Sequence, residues 1–197
     1  GIHADGQVQI SEGTLAISKS YEGIEGQSVE ISGGQIQITS TDDGINAAGG
    51  NDQSSLNGRP GMDAFSGSGD SFILISGGEV QIDASGDGID SNGGLYVSGG
   101  ETYVSGAANG GNGALDYAGE AQITGGIVVA AGMSTMAQNF GSSSTQGTML
   151  VEVQSQTAGT QVELRDSQGN VLVSFAPGKA YDSVVISCPQ IVEGETY

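Results

Sequence analysis

The feature that most restricts this chain is a recurrence: Gly1-Ile2-His3, Gly23-Ile24-Glu25, Gly44-Ile45-Asn46 and Gly88-Ile89-Asp90 follow one another at intervals of 22, 21 and 44 residues. The last interval is two periods. A period in the low twenties, with short strands between punctuating glycines, belongs to stacked repeats rather than to a globular α/β domain. A second register runs beside the first. Ser32-Gly33-Gly34, Ser76-Gly77-Gly78, Ser98-Gly99-Gly100 and Thr124-Gly125-Gly126 each open a segment such as Gln35-Ile36-Gln37-Ile38 or Glu79-Val80-Gln81-Ile82. Alternation with period two is a strand signal. Glycine supplies the positive φ of a sharp bend, so each repeat is expected to hold two or three short strands joined at glycine corners.

These spacings predict an all-β chain: a right-handed parallel β-helix, a solenoid of ~22-residue coils stacked about 4.8 Å apart, with a C-terminal antiparallel β cap. Ile2, Ile24, Ile45 and Ile89 are expected to stack in one inward ladder, and Ile10, Ile17, Ile38, Ile82, Val104 and Val128 in another. With 36 glycines among 197 residues, disorder is the competing reading. Glycine tied to a fixed period argues against it. The coils are expected over residues 1–132, with 49–70, polar and glycine-rich, as an inserted loop. Beyond residue 132 the periodic glycines stop, and residues 133–197 read as a β-rich cap packed on the coils, covering an otherwise open edge. The first residues enter in mid-repeat, so the chain is expected to be a fragment trimmed at its N-terminus. Cys188, the single cysteine, reads as structural filler at a buried strand end.

Charge narrows the function. The formal net charge is −19, with 23 acidic residues against 4 basic ones. Such a surface repels phosphate backbones, which argues against a nucleic-acid partner. No run approaches the ~18 apolar residues of a membrane span, so no membrane insertion is expected. The acids are also ordered. Glu22, Asp43 and Asp87 immediately precede the periodic glycine, whereas Glu25, Asn46 and Asp90 follow the isoleucine. If repeats superpose, each set becomes a column with neighbours one strand spacing apart. Oxygen donors so arranged suit Ca²⁺, which takes six to eight oxygens at about 2.4 Å and tolerates irregular geometry. Asp42 adds a carboxylate beside Asp43, and Asp116 extends the outer column. His3 stands in the same column, but calcium rarely takes imidazole. A merely solvated acidic face is the alternative. EF-hand and nonapeptide-roll loops are both missing.

The segments Tyr21-Glu22-Gly23-Ile24-Glu25-Gly26, Asp42-Asp43-Gly44-Ile45-Asn46-Ala47, Gly86-Asp87-Gly88-Ile89-Asp90-Ser91 and Asn112-Gly113-Ala114-Leu115-Asp116 resemble a bacterial carbohydrate-binding β-helix family that is itself similar to pectate lyases. That resemblance implies a secreted or cell-surface module with bound calcium. It also implies affinity for plant cell-wall polysaccharide, uronate-rich chains such as polygalacturonate or cellulose. By matching position it assigns calcium to Glu22, Glu25, Asp43, Asn46, Asp87, Asp90 and Asp116.

Tyr21 and Tyr117 each adjoin a column acid, where a ring could stack on a pyranose, and Arg59 in the inserted loop could pair with a uronate. Lyase chemistry needs a base, and the repeat region offers only Lys19 and Arg59. Hydrolysis by paired carboxylates would draw on Asp42, Asp43 and Asp87, all better explained as repeat members. A non-catalytic binding module is therefore expected. A pectin lyase or hydrolase, and a surface adhesin or spacer, are the alternatives.

Overall fold

The computed structural model describes residues 1–47 and 71–197; the inserted loop expected at 49–70, with Arg59, lies outside the described residues. After the first repeat, which has two shorter strands in place of a long one, each repeat contributes one short strand and one long one, and like strands pair with like. The short strands are β1 (Ile2–His3), β4 (Ile24–Gly26), β6 (Ile45–Ala47), β8 (Ile89–Ser91) and β10 (Leu115–Tyr117). They form a parallel sheet of five strands in the order β1-β4-β6-β8-β10. The long strands β5 (Ser28–Ser40), β7 (Phe72–Ala84), β9 (Gly94–Ser105) and β11 (Ala121–Gly132) are also parallel. They make the centre of a mixed sheet of eight strands. At one end β5 pairs with both β2 (Gln7–Ile10) and β3 (Thr14–Ser20).

At the other end the direction reverses. β15 (Tyr181–Ser187) runs antiparallel to β11, and β12 (Thr148–Gln156) runs antiparallel to β15. Both continue the large sheet. A 3-10 turn (Ser134–Met136) follows β11, and β13 (Val162–Arg165) with β14 (Val171–Phe175) forms a separate hairpin. Among the described residues no helix is long and apolar enough to cross a membrane.

This architecture corrects the predicted fold class. The structure has parallel and mixed sheets with no closed solenoid, so a right-handed parallel β-helix with ~22-residue coils and a separate cap is not what is found. The glycine pairs explain part of the difference. Gly34, Gly78, Gly100 and Gly126 do have positive φ, between 77° and 94°. Yet they sit at register shifts inside strands whose pairing resumes on the far side. A positive-φ glycine here makes a bulge that bends a strand of 12 or 13 residues without ending it.

The core lies on the inward faces of the two sheets. Ile2, Ile24, Ile45, Ile89 and Leu115 are partners in register, and the last four are essentially inaccessible. In the large sheet Ile17, Ile38, Ile82, Val104 and Ala130 form one ladder, while Ile10 belongs with Ile31, Ile75 and Val97. Val128 falls in a third ladder with Leu15, Ile36, Val80 and Thr102. The single ladder expected from sequence is thus three, because each long strand supplies inward residues on both sides of its bulge. Each fully buried isoleucine contributes about 1.5–3 kcal/mol. Cys188 is buried and free.

Close backbone approach makes some glycines obligatory. A Cβ at Gly44 would overlap Ile82 Cγ2 and lie 2.5 Å from the Gly88 carbonyl oxygen, whereas one at Gly6 would meet nothing within 4 Å. Gly44→Ala should therefore lose about 1–3 kcal/mol of stability or more in urea unfolding, and Gly6→Ala should stay within about 0.5 kcal/mol of the wild type.

Candidate metal centre

The periodic glycines hold the acids in place. Gly23 N–H donates to the Asp43 carbonyl (2.9 Å), Gly44 N–H to the Asp87 carbonyl (2.9 Å) and Gly88 N–H to the Gly113 carbonyl (3.0 Å). With Ile24, Ile45, Ile89 and Leu115 in register, Glu22, Asp43, Asp87 and Gly113 occupy equivalent positions two residues earlier. The next position along the short strands is a column of its own: His3, Glu25, Asn46, Asp90 and Asp116 pair rung to rung. Both columns stand on the short sheet.

They converge in the middle. Asp43, Asp87 and Asp90 each offer a carboxylate oxygen within 4.8 Å of the others, a group that could hold a metal ion. Asp43 is buried, with 4% of its surface exposed. Its Oδ1 accepts the Asp87 N–H at 2.6 Å, and Asp87 Oδ1 accepts the Gly113 N–H at 2.5 Å. Asn112 Nδ2 donates to Asp87 Oδ2 at 3.5 Å. Asp43 and Asp87 thus each accept a backbone N–H of the following rung. Burial, followed by the charges of Glu22, Asp90 and Asp87, pushes the Asp43 carboxyl up to about 9. A carboxyl in this state is protonated at neutral pH unless a positive charge relieves it.

Asn46 supplies an independent observation. It is 1% exposed, and its Oδ1 is buried with no hydrogen-bond partner. In a folded protein such an oxygen costs about 1–3 kcal/mol. It occupies the rung next to Asp90 on the same face of the sheet. Three carboxylates and an amide oxygen are an all-oxygen donor set, the kind hard divalent cations take.

The outer column is closed at both ends. His3 Nδ1 lies 2.7 Å from Glu25 Oε2, and its Nε2 lies 3.3 Å from Asp5 Oδ1. The hydrogen bond to Glu25 is the main cause of a raised His3 pKa. Gln138 Nε2 donates to Asp116 Oδ1 at 3.0 Å. Glu22 reaches the cluster through its charge on Asp43. Asp42 stands beside it, since a Cβ at Gly86 would meet carboxylate oxygens of both Asp42 and Asp43. Tyr21 is 41% exposed. Tyr117 packs against the core, and its hydroxyl donates to the Asn139 carbonyl. Gly86 and Asn112 lie in the repeat segments but at no expected ligand position, and Gln138, beyond the repeats, is not reached by a reading of spacing. Gly86 was accessible to that reading, because Gly86-Asp87-Gly88 superposes on Asp42-Asp43-Gly44 with glycine in place of an acid.

Comparison with family models, with curated proteins and with solved structures finds no match. The chemistry of the site must therefore be argued from its own atoms.

A carboxyl raised in the folded state holds a proton that the unfolded chain has released, so its contribution to stability is complete below its unfolded value and is lost as pH rises through the folded one. For Asp43 that window runs from the ordinary 3.8 to about 9. Cation-free protein should lose stability across this window by at most about 1.4 kcal/mol per pH unit. Asp43→Asn, a neutral mimic, should remove that slope, as read from melting temperatures between pH 5 and pH 9.

Proposed function

We propose that this chain is a non-catalytic, calcium-dependent carbohydrate-binding module for acidic plant cell-wall polysaccharide, exposed outside a bacterial cell. The observation that carries the reading is the buried Asp43–Asp87–Asp90 cluster with the unpartnered Asn46 oxygen beside it. Ca²⁺ is preferred to Mg²⁺ because the donors come in pairs from two adjacent rungs at strand spacing, an arrangement too irregular for a tight octahedron. Four protein oxygens leave part of a six-to-eight-oxygen shell open. A uronate carboxylate with an adjacent hydroxyl can complete it, so the cation bridges two anionic partners that would otherwise repel.

The supply of catalytic groups supports binding over cleavage. Of the basic side chains, Lys179 is paired with Asp83 and Arg165 with Glu163. The acids of the cluster are repeat members, and Asp43 and Asp87 each accept a neighbouring backbone N–H. The motif resemblance to pectate-lyase-like carbohydrate binders points the same way and supplies the glycan class and the extracellular setting. Tyr21, at 41% exposure, offers a ring to a sugar held near the inner column.

Calcium at a hundred times its dissociation constant should stabilise the protein by about 2.7 kcal/mol, seen as a melting-temperature rise that chelation reverses. Asp90→Asn should abolish most of that rise. Calorimetric titration near pH 7 in buffers of different ionisation enthalpy should report release of close to one proton per calcium bound, the Asp43 proton. Polygalacturonate should retain the protein in calcium and release it on chelation. Retention unaffected by chelation would reject the bridging mechanism, absence of retention would leave a surface spacer, and unsaturated products absorbing in the near ultraviolet would show a lyase.

A further inference from the structure

On the outward face of the large sheet, away from the carboxylate columns, two hollows adjoin. One, of about 200 Å³, is lined by Gln37, Gln81, Asp83, Tyr103 and Phe175 among others. The other, of about 250 Å³, is lined by Gln35, Glu79, Leu15 and Ala16 and shares Gln37 and Gln81 with the first. Together they form one open groove that crosses the strands. Its floor is a set of in-register rungs, Gln35 with Glu79 and then Gln37 with Gln81 and Tyr103, and Glu101 stands next to Glu79 at its margin.

Its upper wall is the end of β14 and the residues after it. Phe175 lies against Tyr103, ring centroids 5.4 Å apart at 37°. Lys179 fixes the wall to the floor, its N–H donating to Ser105 Oγ at 3.1 Å and its ammonium pairing with Asp83.

The floor side chains are oriented before any ligand arrives. Gln81 Nε2 donates to Glu79 Oε1 at 2.9 Å, and the Tyr103 hydroxyl donates to Glu101 Oε2 at 2.9 Å. These bonds leave the Gln81 carbonyl oxygen and the remaining carboxylate lone pairs as acceptors, and Gln37 adds an exposed amide. Sugar hydroxyls both donate and accept, so they match such a surface, and the Tyr103–Phe175 pair offers apolar ring area to a pyranose face. Glu79 and Asp83 make the groove negative, with Glu101 on the next rung, and Lys179, which follows the lining Gly178, is already paired with Asp83; a uronate chain is therefore disfavoured there. Rungs recur about every 4.8 Å, a spacing comparable to the length of one sugar unit in an extended chain.

We propose that the Gln37–Gln81–Tyr103 groove is a second glycan site, independent of the cation cluster, that takes an extended, uncharged polysaccharide strand running across the rungs. It goes beyond the calcium-bridged reading and stands or falls separately from it.

The test is calorimetric titration of the chain with β-1,4-linked glucose and mannose hexasaccharides, with and without chelator, at a temperature where the cation-free protein is folded. At least one should bind saturably, with affinity unchanged by chelation and by Asp90→Asn. A Gln37→Ala/Gln81→Ala variant should weaken it tenfold or more. Both glutamines are exposed, so an unchanged melting temperature will show that this variant folds. No saturable binding of either hexasaccharide, an unchanged affinity in the double variant, or binding confined to a cationic glucosamine hexamer would each overturn the proposal. Loss of polygalacturonate retention alone would count against the calcium bridge and leave this site intact.

Discussion

Everything in this molecule depends on how closely one backbone rung can approach the next. At Gly23, Gly44 and Gly88 a Cβ would overlap backbone or core atoms of a neighbouring rung, so the main chains touch where other sequences would place side chains. That contact sets the register of the short strands. Once Ile24, Ile45 and Ile89 are aligned, the residues on either side have no freedom to stagger. In parallel strands equivalent side chains stand directly over one another. A repeat that carries an acid at one position therefore builds a column of like charges at strand spacing.

Like charges so placed destabilise the fold unless something answers them. The inner column answers in part through the backbone: Asp43 accepts the Asp87 N–H and Asp87 the Gly113 N–H. These bonds favour the charged form, but burial and three neighbouring acids outweigh them at Asp43. The outer column answers with His3 at one end and Gln138 at the other. Neither device relieves the buried Asn46 oxygen. A proton on Asp43 quiets the charge but adds no donor for Asn46. A divalent cation held by the three carboxylates, as proposed above, would answer both by drawing on the amide oxygen as well.

The periodicity of the sequence carried most of the short sheet. The isoleucine rung and the column Glu25, Asn46, Asp90 and Asp116 lie at one register position each, and both were visible as residues at fixed distance from a recurring glycine. The long sheet was less legible. A Gly-Gly pair reads equally as a corner or as a bulge, and only the continuation of pairing past Gly34, Gly78 and Gly100 decides between them. For that reason Ile10 and Val128 were assigned to a ladder they do not share, and a closed solenoid was expected where the sheets do not close. Gln138 and the Tyr103–Phe175 contact depend on where residues 133–197 fold back, which no local spacing encodes.

The two sheets also divide the surface by charge. The short sheet presents strands of two or three residues, so its outward positions are few, and nearly all of them fall beside a glycine held by backbone contact. Acids placed there cannot move apart. The long strands present several outward positions each, and Gln35, Gln37, Glu79, Gln81, Glu101 and Tyr103 can pair along their own strands, as Gln81 does with Glu79 and Tyr103 with Glu101. Charge on that sheet is shared out through hydrogen bonds instead of being concentrated. The same stacking of repeats thus concentrates carboxylates on the short sheet and spreads hydrogen-bonded amides, carboxylates and a phenol over the long one, because the strands differ in length.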